Sequence, residues 1–517
     1  MLNSSYNVKK SLFATICNVL AVGSCAALAA ASTAAYGADR TRLGPDSPLA
    51  LQIAGAAFET TEGNVTTVPE TATAASLNIT VVNPEGEGYL TVWPCGVARP
   101  LASNLNFTAG AVVPNGVLAS LGADGSVCLF SSAPTDVLVD VSGWFDGEAF
   151  EGSTPTRLVD TREGRGAPLA PTTPSTPVSV PVASLPVSGA LGTAKTIPAA
   201  VSAVALNVTV VNPSAAGFVT VWPCGEARPN ASNLNFEAGQ VVANGVIAPV
   251  GGNGSVCAFS SVPTDLIVDL AGWFPGDLFS GTTPTRLLDS RGGGASKLGA
   301  GGIAEVAILG TTLSGGSAVP ATARAVSLNV TVTGADAPGY LTVWPCGLAR
   351  PNASNVNFVA GQTVANNVLA PMDGSGKICV FSSAPTHVIV DVAGWVNAET
   401  QAAAFAGAIS KRMGDTRTDL WLGGANQDSD RDGVPDFFDD FPLNADLSGD
   451  TDGDGLIDLL DPDDDGDGIL DALDDLPFGS GVAGNDSSTT ETQDSQQGEQ
   501  TQQRTNSAFV VSAGSVL

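Results

Sequence analysis

The sequence predicts an all-β chain: three tandem disulfide-bonded β-sandwich or small-barrel domains followed by an irregular segment of Asp-rich loops. Three observations carry this. Six of the eight cysteines fall into pairs, Cys95 with Cys128, Cys224 with Cys257 and Cys346 with Cys379, each 33 positions apart. A long block around each pair recurs almost verbatim. Within each block apolar and polar residues alternate with period two, the pattern of strands and not of helices.

At the N-terminus, Lys9 and Lys10 precede an apolar run from Leu12 to about Ala31, then small residues and a polar break at Asp39 and Arg40. Residues 1–38 therefore read as a secretory signal peptide. Two processing routes are open: cleavage after Ala35, or lipidation at Cys25, since Val22-Gly23-Ser24-Cys25 is a degenerate lipobox. No later segment reaches the roughly 18–20 apolar residues that span a bilayer, so no transmembrane helix is expected. The chain reads as extracellular or held at the cell surface.

The repeats are expected over residues 39–150, 151–279 and 280–400. Equal cysteine spacing in a secreted chain argues for one disulfide per repeat. Closing each loop is worth about 3–4 kcal/mol in the chain-entropy picture. Zinc is the rival reading and is disfavoured, because each repeat offers two thiols and His387, the only histidine, cannot complete three sites. Ser76-Leu77-Asn78-Ile79-Thr80-Val81 returns as Ala205-Leu206-Asn207-Val208-Thr209-Val210 and as Ser327-Leu328-Asn329-Val330-Thr331-Val332. Then follow T-V-W-P-C-G, A-R-P, S-N-[LV]-N-F, C-x-F-S-S and V-D-[VL]-[SA]-G-W. A period of roughly 120–130 residues is too long for a solenoid or a propeller blade, so each repeat is expected to be a whole domain, strung as beads. Leu77, Ile79 and Val81 alternate with Asn78 and Thr80, and Val137, Val139 and Val141 with Leu138 and Asp140, as in antiparallel strands joined by tight turns.

Thr154-Pro155-Thr156-Arg157-Leu158-Val159-Asp160-Thr161-Arg162 opens the second repeat and returns as Thr283 to Arg291 in the third; Arg40-Thr41-Arg42-Leu43 is read as a worn copy for the first. Together with the L-N-[VI]-T-V strand and the closing V-D-x-x-G-W, this element resembles an uncharacterised domain of secreted actinobacterial and other bacterial envelope proteins. The resemblance covers nearly all of residues 39–397 and implies no activity. The Arg and Asp of the element are expected to pair inside the fold.

Six of the seven tryptophans occupy two fixed places per repeat: Trp93, Trp222 and Trp344 before Pro-Cys, and Trp144, Trp273 and Trp395 after Gly. Buried, they fill cores beside the disulfides; exposed, they form sugar-stacking platforms. Catalysis finds little support. The positions matching His387 are Asp136 and Asp265, Gly374-Ser375-Gly376-Lys377 aligns with a hairpin turn at Gly122–Ser126, and Asp140, Asp269 and Asp391 recur without a second acid beside them. The N-x-T sequons at Asn78, Asn207 and Asn329 read as strand residues. Residues 401–425 are expected to be a linker in which only Ala-rich Gln401–Arg412 has the composition of a short helix.

From Asp428 the chain spells D-x-D-x-D-G-x-x-D-x-x-D three times. Asp428, Asp430, Asp432, Val434, Asp436 and Asp439 hold positions 1, 3, 5, 7, 9 and 12 of the first loop. Asp450, Asp452, Asp454, Leu456, Asp458 and Asp461 do so in the second, and Asp463, Asp465, Asp467, Ile469, Asp471 and Asp474 in the third. Hard divalent cations take six to eight oxygens at about 2.3–2.6 Å, here from carboxylates and the backbone carbonyl at position 7. Glycine at position 6 permits the sharp turn. An EF-hand places Glu at 12 between long helices; Asp at 12 and nearly abutting loops instead resemble thrombospondin type 3 repeats, which implies an irregular calcium-loop segment over 426–477 binding about three or more Ca2+ ions. This stretch holds nineteen Asp against one Arg within a formal charge of −30, which disfavours nucleic acid as a partner. Residues 478–517, rich in Ser, Thr, Gln and Glu, are expected to be a disordered tail.

The expectation is a secreted or cell-surface calcium-binding structural or adhesive protein that is not an enzyme. The alternative is a polysaccharide-binding protein using the repeated Trp residues. Beyond calcium, the partners left open are a cell-surface polysaccharide and another envelope protein.

Overall fold

A computed structural model describes residues 42–421, apart from 46–47, 60–63, 148, 277, 293–295, 315, 398–404 and 418–419. The signal segment with Cys25, the Asp loops and the tail lie outside the described residues. The all-β expectation holds: the described residues form strands, turns and loops without a helix.

Each repeat is a sandwich of two antiparallel sheets, four-stranded throughout except that the inner sheet of repeat 1 has a short fifth strand, Leu420–Trp421, at its edge. In repeat 2 the inner sheet runs Glu151–Asp160, Asp265–Phe274, Ala203–Val211, Val241–Pro249, and the outer sheet Val178–Pro181, Ser255–Ser260, Gly217–Pro223, Leu234–Phe236. Setting aside the small hairpin Pro186–Ser188/Ala194–Thr196, the first, eighth, third and sixth strands share one sheet and the second, seventh, fourth and fifth the other. That alternation is jelly-roll topology. Repeat 3 has the same order. Between the sheets lies a Val/Leu core; in repeat 2 Val204, Leu206, Val208 and Val210 of the inner sheet meet Val219, Val221, Leu234 and Val256 of the outer one. The three expected disulfides are formed, with Cα–Cα distances of 5.0, 5.0 and 4.9 Å.

The repeats are not beads in a row. The side of each inner sheet that faces away from its own core is buried against the other repeats, around a pseudo-threefold axis. Asn207 donates to the Ser103 carbonyl of repeat 1 at 2.6 Å, Asn329 to Ser232 of repeat 2 at 2.6 Å, and Asn78 to Ser354 of repeat 3 at 2.7 Å. Asn115, Asn244 and Asn366 continue the cycle by donating to Asn207, Asn329 and Asn78 at 3.0, 3.3 and 3.0 Å. A fully apolar interface would need no such bonds; a buried polar one needs all of them, because an unpaired buried amide costs about 1–3 kcal/mol. One end of the axis is apolar. Phe145, Phe274 and Val396 from the ends of three equivalent strands pack with Phe150, Phe279 and Phe405, ring centroids 4.9–5.7 Å apart.

Where the strands come closest, space is gone. A methyl added at Gly245 would fall inside the Gly116 carbonyl, and one at Gly116 inside the Asn367 carbonyl. Gly245→Ala is therefore expected to cost about 1–3 kcal/mol by overpacking. Denaturant titration reads this, and an unchanged midpoint sinks the tight-axis description.

Two sequence expectations need correction at the C-terminus of the ring. Over 405–412 the Ala-rich stretch is not a helix: Phe405–Asp415 is a strand paired with Asp136–Asp146 of repeat 1. Small residues lowered its apparent strand propensity, but a waiting sheet edge decides the conformation. Nor is Arg42-Leu43 the worn opening element of repeat 1. Leu43 bridges Thr135 as Leu298 bridges Thr386, and Arg42 pairs with Glu85 as Lys297 pairs with Asp336, so this segment corresponds to Lys297-Leu298. The true third copy is Lys411-Arg412-Met413-Gly414-Asp415-Thr416-Arg417, which closes the ring. Met413 and Ala408 are buried in the core of repeat 1. Repeats 2 and 3 thus open with this strand at their own start, whereas repeat 1 takes its copy from the segment that follows repeat 3.

Candidate functional site

Three sets of chemistry-bearing side chains recur around the ring. The first is the Arg–Asp cluster of the opening element, which pairs inside the fold as expected. Arg157 donates from Nε to Asp269 at 2.6 Å and from Nη1 to Asp160 at 2.8 Å, while Arg162 holds Asp160 from the other side. Arg286–Asp391/Asp289 and Arg412–Asp140/Asp415 repeat this. Arg157 and Arg286 also donate to the Leu101 and Asn230 carbonyls of the preceding repeat. Burial pushes Asp140, Asp269 and Asp391 above the ordinary Asp range, against the pull of their arginines. Hydrogen bonds from Arg162 and Arg291 hold Asp160 and Asp289 below it. With every member satisfied internally, the cluster is a structural clip.

The second set is Ser290 and His387, whose Oγ and Nδ1 lie 3.1 Å apart. Thr161–Asp265 at 2.9 Å and Thr416–Asp136 at 3.2 Å are its counterparts, and in all three the hydroxyl accepts the next strand's amide. Ser290 is buried. A hydroxyl enclosed this way meets no substrate, and the pair is a strand-register clip.

The third set is on the outer sheets. The loop after each Trp-Pro-Cys returns over the sheet's outward face, pinned by the disulfide, by Trp93 Nε1 to the Val97 carbonyl at 3.0 Å and by Thr91 Oγ1 to Ala102 at 2.6 Å. The Trp222–Glu226 and Trp344–Leu348 bonds, both 3.0 Å, match. From this loop Arg99, Arg228 and Arg350 lay their guanidinium groups over Phe130, Phe259 and Phe381, 3.5–3.6 Å from the ring centroids. Beside each ring stands Tyr89, Phe218 or Tyr340, at 6.0, 6.2 and 5.9 Å. The signal for this set was present in the strict return of A-R-P and C-x-F, elements to which the sequence reading gave no role.

The tryptophans are not platforms. All six lie at 2–7 % exposure, with the first set donating to its own loop and the second packed in the cores. Stacking by these rings on a polysaccharide, the sequence-level alternative, is thereby corrected: a ring wedged between a disulfide loop and a sheet offers no free face. Asn78, Asn207 and Asn329 are likewise buried at the repeat interfaces. Two cavities between repeats, each about 20 Å3, hold room for a single water molecule.

Among the described residues no group of three or more His, Cys, Asp or Glu is placed to hold a metal ion. All eighteen expected ligand positions, from Asp428 to Asp474, lie outside the described residues. No helix among the described residues is long and apolar enough to cross a membrane. The disulfides indicate an oxidising compartment.

Fold and clusters together define a single-chain, pseudo-threefold ring of jelly rolls. No known protein family matches the chain, and no curated protein does. Among the solved structures similar to it are "The Triple Jelly Roll Fold and Turret Assembly in an Archaeal Virus" and "Life in the extremes: atomic structure of Sulfolobus Turreted Icosahedral Virus". Each is 12% identical, matched over 69% of this chain and 92% and 91% of theirs, with a TM-score of 0.14. Neither likeness bears on what this chain does.

Proposed function

We propose that the chain is a secreted or cell-surface calcium-binding protein with a structural or adhesive role and no catalytic activity of its own. The carrying observation is in the sequence: three loops that keep every ligand position of a calcium site, with Gly433, Gly455 and Gly468 at the turn. The ring supports the reading from the other side, since its recurrent titratable clusters are paired within the fold. Many flexible carboxylates select Ca2+ over the smaller, more rigidly octahedral Mg2+. Without metal, nineteen Asp in one short stretch repel one another, so ordering of that stretch is coupled to binding.

Calorimetric titration of the full chain tests this. Saturable binding of about three or more ions is expected at around 10⁻⁴–10⁻³ M, typical of extracellular modules. Asp430→Asn, Asp452→Asn and Asp465→Asn together should remove most of it. Chelation should leave the melting of the disulfide-bonded ring unmoved. Absence of binding at millimolar calcium, or co-melting of ring and Asp segment on chelation, sinks the reading.

A further inference from the structure

We infer that the outer faces of the ring carry three equivalent binding sites for an anionic glycan, each built on a guanidinium stacked flat on a phenylalanine ring. The inference is independent of the calcium reading.

Arg99, Arg228 and Arg350 are exposed, and among the described residues none has an ion pair or a side-chain hydrogen bond. The contrast is with the opening-element arginines, all of which are paired. In a chain of formal charge −30, carboxylates are plentiful, yet these three cations are held away from them. Held 3.5–3.6 Å over a ring, exposed and without another side-chain partner, each guanidinium keeps N–H donors in hand, and a guanidinium grips a carboxylate or sulfate through two parallel bonds. The platform is rigid, because disulfide, Trp and Thr bonds all pin the loop that carries the arginine.

The neighbouring aromatic ring decides the class of ligand. Tyr89 and Tyr340 are 38 % and 36 % exposed beside the stacks. A sugar ring packs its apolar face on such a surface while its acid group meets the guanidinium. Threefold repetition on one body suits a polymer whose units recur, since weak sites add by avidity. Duplex DNA is disfavoured: its phosphates crowd at about 1.7 Å per charge along the axis, and an acidic ring repels so dense a polyanion. A polyuronate such as polygalacturonate spaces its charges by whole sugar rings.

The test uses the full chain, in chelator, passed over immobilised polygalacturonate, dextran sulfate, neutral dextran and duplex DNA. Salt-sensitive retention on one or both acidic glycans, and not on dextran, is expected; the polygalacturonate and dextran sulfate arms tell carboxylate from sulfate recognition. Arg99→Gln, Arg228→Gln and Arg350→Gln combined should weaken retention by about tenfold or more, as loss of avidity requires. Tyr89→Ala with Tyr340→Ala should weaken it as well. Retention by the triple variant equal to that of the parent overturns the proposal, as does equal binding to dextran, equal or tighter binding to DNA, or no binding to either acidic glycan. Thermal melting accompanies each variant. Should the triple variant melt early, the three single variants decide: stepwise losses sustain the sites, and no loss at any position overturns them.

Discussion

A chain ended at residue 400 is expected to lose the fold of its first repeat, whereas one ended at residue 425 keeps it. The difference is the strand Phe405–Asp415, which completes the inner sheet of repeat 1 from the far end of the sequence. Without it, Asp140, 2 % exposed, loses Arg412 at 2.5 Å. A buried charge stripped of its partner costs about 3–5 kcal/mol. Met413, fully buried, takes about 1.5–3 kcal/mol of apolar burial with it. Phe405 also leaves the axial cluster, where its ring sits 4.9 Å from that of Phe145. These losses together approach the roughly 5–15 kcal/mol that holds a domain folded. Calorimetry should show an early transition and dye binding to the uncovered phenylalanines. Residues 401–425 added as a free peptide should restore the late transition. Indistinguishable melts for the two truncations refute the closing-strand assignment.

That strand also marks the limit of what the sequence disclosed. The repeats, their disulfides and the strand alternation were legible because each is a local or strictly periodic signal: equal cysteine spacing, Leu77/Ile79/Val81 against Asn78/Thr80. Ring closure was not, because a strand supplied from the end of the chain has no sequence neighbour in the sheet it completes. K-R-M-G-D-T-R carries the same Arg, Asp, Thr and Arg as T-R-L-V-D-T-R, but its Ala-rich approach hid the match.

The period-two pattern was read correctly and its environment was not. Alternation ordinarily means one dry face and one wet face. Here Ser76, Asn78 and Thr80, the polar set, are buried like the apolar set, because another repeat covers that face: Asn78 bonds to Ser354 of repeat 3, while Ser76 and Thr80 are bonded to Ser142 and Asn78 of their own repeat. Tryptophan burial follows from tertiary packing that no spacing reveals. The stacked arginines were visible as repetition only; that each lies on a phenylalanine about thirty residues away in sequence is a fact of the disulfide-pinned loop.

Removing the carboxylate of Asp269 is the second large effect expected, and its pH dependence distinguishes a clip from a titrating site. Asp269→Ala leaves Arg157, 21 % exposed, with Asp160 as its one remaining carboxylate and should cost up to about 3–5 kcal/mol. Asp269→Asn should cost much less, since burial already favours the uncharged form and the amide oxygen still accepts from Nε. The sign follows from linkage. Asp140, Asp269 and Asp391 titrate above the ordinary value of 3.8, so between their folded values and 3.8 the native state takes up protons first and gains stability as pH falls. Asp160 and Asp289 titrate below 3.8, so the stability they supply is complete above that value and drains away as pH falls beneath it. Acid unfolding of the ring is therefore expected to hold off until below about pH 4 and then to steepen. Combining Asp160→Asn and Asp289→Asn should flatten the steep limb. Loss of stability beginning well above pH 4, or a profile unmoved by the double substitution, shows that these clusters do not govern how the ring responds to acid.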